Sequence, residues 1–387
     1  MRRDGPLAAV VALQAILGLR VLARFAGSAG GRRIQATTDQ PESGEAVAVV
    51  VPVLNEIDRL APCLDGLLAQ GPEVAEIVVV DGGSEDRTPE MVARYAARDA
   101  RVRLVDAAPV PAGWNGKSWG LQVGVQRADP RATWILTIDA DVRPAPHLAR
   151  SLLAHARHTG LAAFSVATRQ QIDGPGEGLL HPAMLTTLVY RFGLPGNAVR
   201  TVSRVQANGQ CFLVRRDVLE RSQALCAARA SVCEDVTMAR CLVAAGWEVG
   251  FYEAGDLVWA DMYAGWRDTW RNWSRSLPLR DKYSGLAGLV GLVEVALVQA
   301  LPLPLALLLR TAGPLNGLRR WMFATNAMLA VARLGVLFGT ARAYRRLPWS
   351  YWLSPLCDAP VALLLWVSAL RRRHTWRGRT LVTGGAS

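Results

Sequence analysis

Short runs of β-branched residues alternate with amphipathic stretches through the middle of the chain. Val47–Val51 and Ile77–Val80 are apolar throughout and end at turn residues, which is typical of strands buried on both faces. Apolar residues then recur at helical spacing in Ile57–Gln70 and Pro89–Ala97. Further strands are predicted at Val102–Val105 and Thr133–Ile138. The alternation predicts an α/β domain with a mostly parallel sheet, which binds ligands beyond the carboxyl ends of its strands.

Longer apolar stretches lie at both ends of the chain. Leu7–Leu22 is predicted to be a membrane anchor rather than a signal peptide, because no small-residue cleavage site stands out and more arginines follow it than precede it. Three stretches near the length of a spanning helix follow the α/β region: Gly285–Leu309, Trp321–Thr340 and Trp349–Leu370. The chain is therefore expected to be an integral membrane protein with helices at both ends.

The sequence leaves the number of C-terminal crossings open at two or three. Three full crossings would place the arginines after Leu370 outside, against the positive-inside tendency. Pro302 and Pro304 should break the first stretch, and if that stretch is re-entrant or interfacial, two crossings return the basic tail to the cytoplasm. We prefer two crossings, with the α/β domain on the cytoplasmic side of a bacterial inner membrane.

The charges of the chain separate along its length. Residues 45–265 hold 21 basic and 25 acidic residues, whereas the two flanks together hold 23 basic and 7 acidic residues. Because the positive charge accompanies the apolar stretches, a membrane surface is the expected partner, and nucleic acid is not. Glu294, Arg333 and Asp358 interrupt the C-terminal stretches, where they either serve a function or pair among the helices.

Tryptophans and arginines alternate directly after the α/β region. Trp266, Trp270 and Trp273 share one face of a helix, and arginines cover the rest, which predicts an amphipathic helix at the membrane surface. The predicted organisation is an N-terminal anchor and linker (1–44), an α/β domain (45–265), the interfacial helix (266–284), transmembrane or re-entrant helices (285–370) and a basic cytoplasmic tail (371–387).

Polar residues follow the first two predicted strands. Pro52, Asn55 and Glu56 come after the first strand, and Asp81-Gly82-Gly83-Ser84 comes after the second. Carboxylates and amides at neighbouring strand ends can bind a nucleobase and a ribose, and glycine lets a backbone approach closely. Taken singly, each group is equally typical of a helix start or a turn.

Two carboxylates one residue apart, Asp139 and Asp141, follow the strand that ends at Ile138. On an extended segment they would point the same way and repel each other unless a cation lay between them. A divalent metal that also binds a diphosphate supplies such a cation, since Mg²⁺ uses one or two carboxylates plus substrate phosphates. The alternative is a solvated acidic loop.

Two further segments carry side chains that can act on a phosphate or a hydroxyl. Lys117 lies in a glycine-rich turn before a predicted helix at Trp119–Arg127, where an ammonium can neutralise phosphate. Glu234 and Asp235 precede an apolar-periodic helix, Val236–Ala245. These two acids either cap that helix or provide a general base.

In this order and spacing, the four acidic motifs resemble those of the family 2 glycosyltransferases of the GT-A fold, over about residues 46–265. Gly113–Trp119, the tail 375–379 and the membrane ends are similar to the branch that contains ceramide glucosyltransferases, carotenoid glycosyltransferases and hopanoid-associated glycosyltransferases. The resemblance implies a Rossmann-like GT-A catalytic domain, a nucleotide-sugar donor, Mg²⁺ or Mn²⁺ at the DxD pair, and inversion at the anomeric carbon.

Carried over position by position, the resemblance gives each motif a role. Asp235 would be the catalytic base, and Asp139 and Asp141 would be the metal ligands. The residues expected to bind the nucleotide-sugar are Pro52, Asn55, Glu56, Asp81, Gly83, Lys117, Asp139, Glu234, Arg271 and Arg275.

The chain departs from the family pattern at two places. The second motif has Gly82-Gly83 where many members have a further Asp, which leaves the contacts to the base open. The Gln-x-x-Arg-Trp motif of the family's polymer synthases is absent from residues 270–275. Transfer of a single sugar is therefore expected, with Arg271 or Arg275 reaching the diphosphate.

The expected function is transfer of one sugar from a nucleotide-sugar, such as a UDP-sugar, to the hydroxyl of a carotenoid, hopanoid or sphingolipid-like membrane lipid. The first alternative is the same fold acting on a polyprenyl phosphate, which the arginines of 267–280 would favour. The second is a non-catalytic, membrane-anchored nucleotide-binding or scaffold protein.

The segment 174–204, with an apolar piece at His181–Leu194, is either an acceptor lid or an ordinary surface excursion.

Overall fold

A computed structural model describes residues 5–40, 42, 44–263, 265–371, 373–376 and 379–382. Its α-helices are α1 Gly5–Ser28, α2 Leu60–Leu68, α3 Thr88–Ala96, α4 Gly116–Arg127, α5 Leu148–Thr159, α6 Pro175–Phe192, α7 Arg216–Ser222, α8 Ala224–Ala227, α9 Glu234–Ala244, α10 Trp266–Ser276, α11 Gly285–Glu294, α12 Pro302–Thr311, α13 Gly317–Thr340 and α14 Asp358–Leu370. Its strands are β1 Val47–Val53, β2 Val74–Asp81, β3 Val102–Asp106, β4 Trp134–Ile138, β5 Val142–Pro144, β6 Ala163–Ala167, β7 Arg169–Gln171, β8 Asn197–Val199, β9 Cys211–Arg215, β10 Val249–Glu253, β11 Val258–Asp261, β12 Arg373–Trp376 and β13 Arg379–Val382.

The chain divides into two compact units, which we name after their content. The sheet unit comprises residues 31–170, 195–261 and 372–387. The helical unit comprises residues 1–30, 171–194 and 262–371. Residues 372, 377, 378 and 383–387 of the predicted basic tail lie outside the described residues.

An eight-stranded sheet forms the centre of the sheet unit, in the order β3-β2-β1-β4-β9-β6-β10-β8. The pairs β3–β2, β2–β1, β1–β4 and β6–β10 are parallel. β9 runs antiparallel to β4 and β6, and β8 runs antiparallel to β10. The prediction of an α/β domain with a mostly parallel sheet is therefore confirmed, and β8 and β9 are its antiparallel members.

The sequence of β1 explains its central position. Val47, Val49, Val51 and Val53 enter the hydrophobic core on one face of the sheet, whereas Val50 enters the core on the other face. A continuous apolar run is what a strand covered by helices on both faces requires. The helices that follow β1, β2 and β3 (α2, α3 and α4) are the crossover connections that parallel pairing needs.

Because β1, β2 and β4 are parallel neighbours, their carboxyl ends lie at one edge of the sheet. β1 ends at Val53, β2 at Asp81 and β4 at Ile138. The candidate motifs after these strands are thereby brought to the same edge, where open α/β sheets bind their ligands.

Three helices of the helical unit are long and apolar enough to cross a membrane: Gly5–Ser28, Gly317–Ala343 and Trp349–Leu370. The helices Gly285–Ala300 and Pro302–Thr311 form a fourth candidate that is bent by 42° and is either a broken span or a re-entrant loop. The described residues therefore contain the predicted apolar helices, and both crossing numbers considered from the sequence remain compatible with them.

The predicted break in the first C-terminal stretch lies at Leu301. A π-helical segment, Val295–Ala300, precedes it, and the Leu301 N–H donates to the Ala296 carbonyl, five residues back, at 3.1 Å. Pro302 and Pro304 have no N–H, so the regular α-helical ladder cannot continue through them. The bend follows from this loss of backbone donors.

The ionisable residues of the apolar stretches pair within the helical unit. Glu294 is 1% exposed and contacts Arg20 at 3.3 Å and Arg24 at 3.2 Å. Arg333 and Asp358 are both buried and lie 2.8 Å apart. Of the two readings of these charges, pairing among the helices is the one that the structure supports.

Removal of Arg333 tests this pairing. We expect Arg333→Leu to lower the free energy of unfolding by about 3 kcal/mol, because Asp358 would remain buried without its cation. Chemical unfolding in detergent measures the change. The double variant Arg333→Leu/Asp358→Leu should recover most of the loss, and Arg320→Leu, at an exposed position of the same helix, should change little. A stable Arg333→Leu protein would contradict the assignment.

The segment 174–204 contains a buried helix. α6 spans Pro175–Phe192, and twelve of its eighteen residues are buried. Its Glu177 side chain accepts hydrogen bonds from the backbone N–H groups of Asp173 at 3.0 Å and Gly174 at 2.6 Å, which fixes the start of the helix. The expectation of an ordinary surface excursion is therefore wrong for this part of the chain.

Candidate active site

The loops after β1 and β2 are joined by their own polar side chains. The Asn55 side-chain oxygen accepts from the Glu85 N–H at 2.8 Å, and the Asn55 N–H donates to the Ser84 hydroxyl at 2.9 Å. Asp81 accepts from the N–H groups of Gly83 at 3.2 Å and Ser84 at 3.0 Å. Asn55 adopts a positive φ of 56°, which asparagine tolerates better than most residues.

Among the other predicted nucleotide-binding residues, Glu56 is buried and pairs with Arg59 at 2.6 Å. Pro52 is the penultimate residue of β1 and lies beside α4, since a Cβ built at Gly120 would be 3.2 Å from the Pro52 Cβ. Gly83 has a φ of 92°, a conformation that favours glycine at this turn.

Lys117 stands in the first turn of α4. Asn115 caps this helix, because its side-chain oxygen accepts from the Lys117 N–H at 3.1 Å. The Asn115 side-chain amide also donates to the Ser231 carbonyl at 2.9 Å, which ties the cap to the segment before α9. The helix therefore begins earlier than predicted, and Lys117 has a fixed backbone position.

The ammonium group of Lys117 bridges two acids from different parts of the sequence. Its Nζ lies 2.7 Å and 2.9 Å from the two carboxylate oxygens of Asp139 and 2.7 Å from Glu234 Oε1. The three side chains are 18%, 26% and 10% exposed, respectively, so the cluster is reachable from solvent. Lys117 therefore supplies positive charge to the carboxylates of Asp139 and Glu234.

Asp235 joins the same cluster through the backbone. α9 begins at Glu234, which places both acids in its first turn, and Asp235 Oδ2 accepts from the Gly209 N–H at 2.7 Å. A Cβ built at Gly209 would lie 2.9 Å from Lys117 Nζ and 3.2 Å from the Asp235 Cβ. Gly209 therefore lies directly against the charged groups, and a larger residue there would displace them.

Gly209 and Gln210 are members of the site that sequence reasoning missed. The Gln210 carbonyl accepts from the Asp139 N–H at 3.3 Å, so two consecutive residues hold both Asp235 and Asp139. The available signal was a glycine two residues before the apolar run Cys211–Val214, since glycine near a strand end often marks a close approach.

The arrangement of Asp139 and Asp141 differs from the one expected. β4 ends at Ile138, and the two acids lie in a turn in which the Val142 N–H donates to the Asp139 carbonyl at 3.1 Å. Asp139 and Asp141 therefore do not lie on an extended segment, and the prediction based on one is wrong. Asp141 Oδ1 is buried and has no hydrogen-bond partner in the described part of the chain.

The electrostatics of the cluster follow from burial and mutual proximity. Burial raises the pKa of the Asp139 carboxyl to about 7, with Lys117 opposing the rise, and it raises the pKa of Asp235 to about 6, with Glu234 adding to the rise. Burial also raises the pKa of Asp141. For Lys117, burial disfavours the charged form, yet the neighbouring carboxylates hold its pKa well above the ordinary value.

The remaining predicted site residues lie in the other unit. Arg271 and Arg275 are on α10 of the helical unit, where Arg271 is exposed and Arg275 half-buried. Of the predicted residues, the structure thus brings Lys117, Glu234, Asp139 and Asp235 into one cluster. Among the described residues, no group of three or more His, Cys, Asp or Glu side chains is arranged to hold a metal ion.

A family model matches nearly half of the chain. Residues 48–222 match the family model "Glycosyl transferase family 2". This region of the chain is a family 2 glycosyltransferase domain. The matched region of this glycosyltransferase contains the loops after β1 and β2, Lys117 and the acids after β4, and it ends before Asp235.

Curated relatives of this glycosyltransferase match over a shorter region. The uncharacterized glycosyltransferase EpsJ of Bacillus subtilis (strain 168) is 35% identical over 95 residues, which is 24% of this chain and 26% of EpsJ. The dolichyl-phosphate beta-glucosyltransferase ALG5C of Trichomonas vaginalis is 37% identical over 100 residues, 24% of this chain and 28% of ALG5C. The matches span about a quarter of the length of these relatives.

A solved structure resembles nearly the whole glycosyltransferase chain. The mannosyltransferase PcManGT from Pyrobaculum calidifontis, in complex with GDP-Man and Mn²⁺, has a TM-score of 0.52 and is 18% identical. The comparison covers 94% of this chain and 98% of that chain. At this identity the likeness concerns the fold, which is the GT-A fold expected from the sequence.

Proposed function

We propose that the protein transfers a single sugar, with inversion, from a nucleotide-sugar to the hydroxyl of a membrane lipid. The observation that carries this proposal is the cluster in which Lys117 contacts Asp139 and Glu234, and Gly209 contacts Asp235. A cationic group suited to a diphosphate and a carboxylate suited to a hydroxyl proton are thereby adjacent. Sugar transfer with inversion needs both, on opposite sides of the reacting carbon.

In the proposed reaction Asp235 is the general base. The acceptor oxygen forms a bond to the anomeric carbon, its proton moves to Asp235, and the bond to the diphosphate breaks with the electron pair leaving on the diphosphate oxygen. With a pKa of about 6, Asp235 is largely ionised at neutral pH and still basic enough to accept the proton as the bond forms. The Gly209 N–H orients the Asp235 carboxylate, because it donates a hydrogen bond to Oδ2 at 2.7 Å.

Lys117 and Asp139 are proposed to act on the departing diphosphate. The ammonium is fixed by the Asn115 cap and by two carboxylates, so it needs no reorganisation when charge develops on the leaving group. The loops that carry Asn55, Glu56, Asp81 and Gly83 are proposed to hold the base and ribose. Pro52 and Glu234 are proposed as further contacts to the nucleotide-sugar.

A divalent metal fits the donor set at Asp139 and Asp141. The buried Asp141 Oδ1 without a partner is an oxygen of the kind that Mg²⁺ and Mn²⁺ prefer, and two carboxylates suffice where substrate phosphates complete the coordination. The related fold of PcManGT was solved with GDP-Man and Mn²⁺. Such a metal would supply positive charge to the diphosphate oxygens.

The apolar helices of the helical unit support the proposal that the acceptor is a lipid. Three described helices are long and apolar enough to cross a membrane, and an acceptor within the bilayer would be available to a protein held there. The excess of positive charge in the flanks supports a cytoplasmic position of the sheet unit at a bacterial inner membrane. Arg271 and Arg275 are proposed as further diphosphate contacts.

Transfer to a polyprenyl phosphate is a second candidate, supported by the similarity to the dolichyl-phosphate beta-glucosyltransferase ALG5C. A phosphate acceptor is already ionised and needs no general base. Purified protein in detergent, supplied with UDP- and GDP-sugars and with either lipid alcohols or a polyprenyl phosphate, separates the candidates by release of the nucleoside diphosphate. Release that requires the alcohol supports the first candidate, release that requires the phosphate supports the second, and no release with any pair would contradict both.

The pH dependence of transfer is a further expected outcome. Asp235 must be ionised to accept the proton, so kcat/KM should be level above about pH 6 and fall roughly tenfold per pH unit below it. The rate of nucleoside diphosphate release at low donor concentration measures this profile. A rate that stays constant well below pH 6 would exclude Asp235 as the base for a hydroxyl and would favour a phosphate acceptor.

A further inference from the structure

Two segments of the helical unit are rich in positive charge, and we name them together the basic belt: residues 265–284 and 341–352. The first segment holds five basic and two acidic residues, and the second holds three basic and no acidic residues. The belt therefore has a formal net charge of +6. The first segment is the one predicted from the sequence to be an interfacial helix.

The two segments of the basic belt pack on opposite sides of the same helix. A Cβ built at Gly176 of α6 would lie 2.8 Å from the Trp266 Cβ, and one built at Gly178 would lie 2.2 Å from the Ser350 hydroxyl. Residues two apart in a helix point in nearly opposite directions. Trp266 and Ser350 therefore flank the first turns of α6, and only glycine allows both approaches.

His181, one turn further along α6, contacts both segments again. Its ring lies 4.1 Å from the Trp273 ring between centroids, and its Nδ1 lies 3.0 Å from the Tyr344 hydroxyl. These contacts are buried, since His181 is 1% exposed and Tyr344 is 2% exposed. The two segments are thus held in a fixed relation to each other around α6.

Both segments of the basic belt contain exposed tryptophans and exposed arginines. Trp266 is 52% exposed, Trp349 is 71% exposed and Trp352 is 41% exposed. The exposed arginines of the belt are Arg267, Arg271, Arg280, Arg342, Arg345 and Arg346. Tryptophan concentrates at membrane–water interfaces, and clustered arginines beside apolar helices attract the anionic leaflet surface.

We propose that the basic belt binds the headgroups of anionic phospholipids and enriches them around the protein. Charge complementarity favours anionic lipids. The belt has a net charge of +6 and lies in the unit that contains helices able to span a membrane, and a zwitterionic bilayer has no net negative charge to balance it. The flanking tryptophans set the depth of the belt at the headgroup level. This inference depends on the chain lying in a bilayer and not on sugar transfer.

The test compares lipid association of the full chain in bilayers of phosphatidylcholine mixed with phosphatidylglycerol. Electron spin resonance of spin-labelled phosphatidylglycerol and phosphatidylcholine gives the association of each lipid with the protein. We expect the wild type to prefer phosphatidylglycerol by about twofold or more. The double variant Arg267→Gln/Arg346→Gln, which lowers the formal net charge of the belt from +6 to +4, should show a weaker preference. High salt should reduce the wild-type preference, because the attraction is screened.

Matched variants separate charge from structure in this experiment. Arg267→Lys/Arg346→Lys keeps the charge and should keep the preference. Arg131→Gln/Arg200→Gln removes the same charge from exposed positions of the sheet unit and should leave the preference unchanged. Equal association of both lipids with the wild type, a preference insensitive to salt, or a glutamine variant that retains it would overturn the proposal and leave the belt for another partner. Because no sugar donor is present, these results are independent of the proposed function.

Discussion

Asp235→Asn should reduce kcat for sugar transfer to a lipid hydroxyl by about 10²- to 10⁴-fold, the range expected when a general base is lost. Asparagine has nearly the same shape and can still accept the Gly209 N–H through its side-chain oxygen. The donor site should therefore remain intact, and the dissociation constant for the nucleotide-sugar should change little. Single-turnover transfer measures the chemical step, and titration calorimetry measures donor binding.

A matched control for Asp235→Asn is Asp256→Asn, which removes an acid whose side chain is 81% exposed on the same unit. Its kcat should equal that of the wild type. Wild-type transfer by Asp235→Asn would remove Asp235 from the mechanism. Equal loss of donor binding and of rate would mean that Asp235 shapes the site rather than accepting a proton.

Asp139→Asn should lower kcat/KM for the donor by about 10²- to 10³-fold, the size of effect seen when a group that stabilises developing charge is removed. Two causes combine here. The substitution removes the anion that holds Lys117 at 2.7 Å, and it removes one of the two proposed metal ligands. Unlike Asp235→Asn, it should weaken binding of the nucleoside diphosphate itself.

The measurement for Asp139→Asn is the dissociation constant of the nucleoside diphosphate, with and without Mn²⁺, together with steady-state transfer kinetics. Asp256→Asn again serves as the control. A variant that binds the nucleoside diphosphate with wild-type affinity in the presence of Mn²⁺ would contradict a diphosphate role for Asp139.

The order of elements in the sheet unit was predictable from the sequence because local patterns decide it. Continuous apolar runs such as Val47–Val51 have few alternatives to a buried strand, and the turn residues after them mark the sheet edge. Parallel pairing of β1, β2 and β4 then brings distant motifs together without further information. The antiparallel strand β9 within the sheet was not predicted, since no local pattern specifies a strand's neighbours.

The details of the candidate site depend on contacts between distant residues. Lys117 and Glu234 are 117 positions apart, and nothing in either local sequence specifies that the ammonium bridges Asp139 and Glu234 at 2.7 Å. The turn at Asp139–Val142 was mistaken for an extended segment, because a strand end and a turn differ by one backbone hydrogen bond. Gly209 could not be predicted from its local sequence, because its neighbours Lys117 and Asp235 lie in α4 and α9.

The helical unit shows how long-range pairing resolves an ambiguity in the sequence. Glu294, Arg333 and Asp358 looked alike as interruptions of apolar stretches, and either function or pairing could explain them. The pairs Arg24–Glu294 and Arg333–Asp358 connect residues that are 270 and 25 positions apart. Such partners are visible only when the helices are packed.

A double-mutant cycle on kcat for Asp235→Asn and Asp139→Asn tests most directly whether these acids act on one sugar in one centre. Residues that act as a unit give strongly non-additive losses. We expect the double variant to be about as slow as the slower single variant. A double variant whose loss equals the product of the two single losses would mean that the acids act independently, and the proposed centre would be wrong.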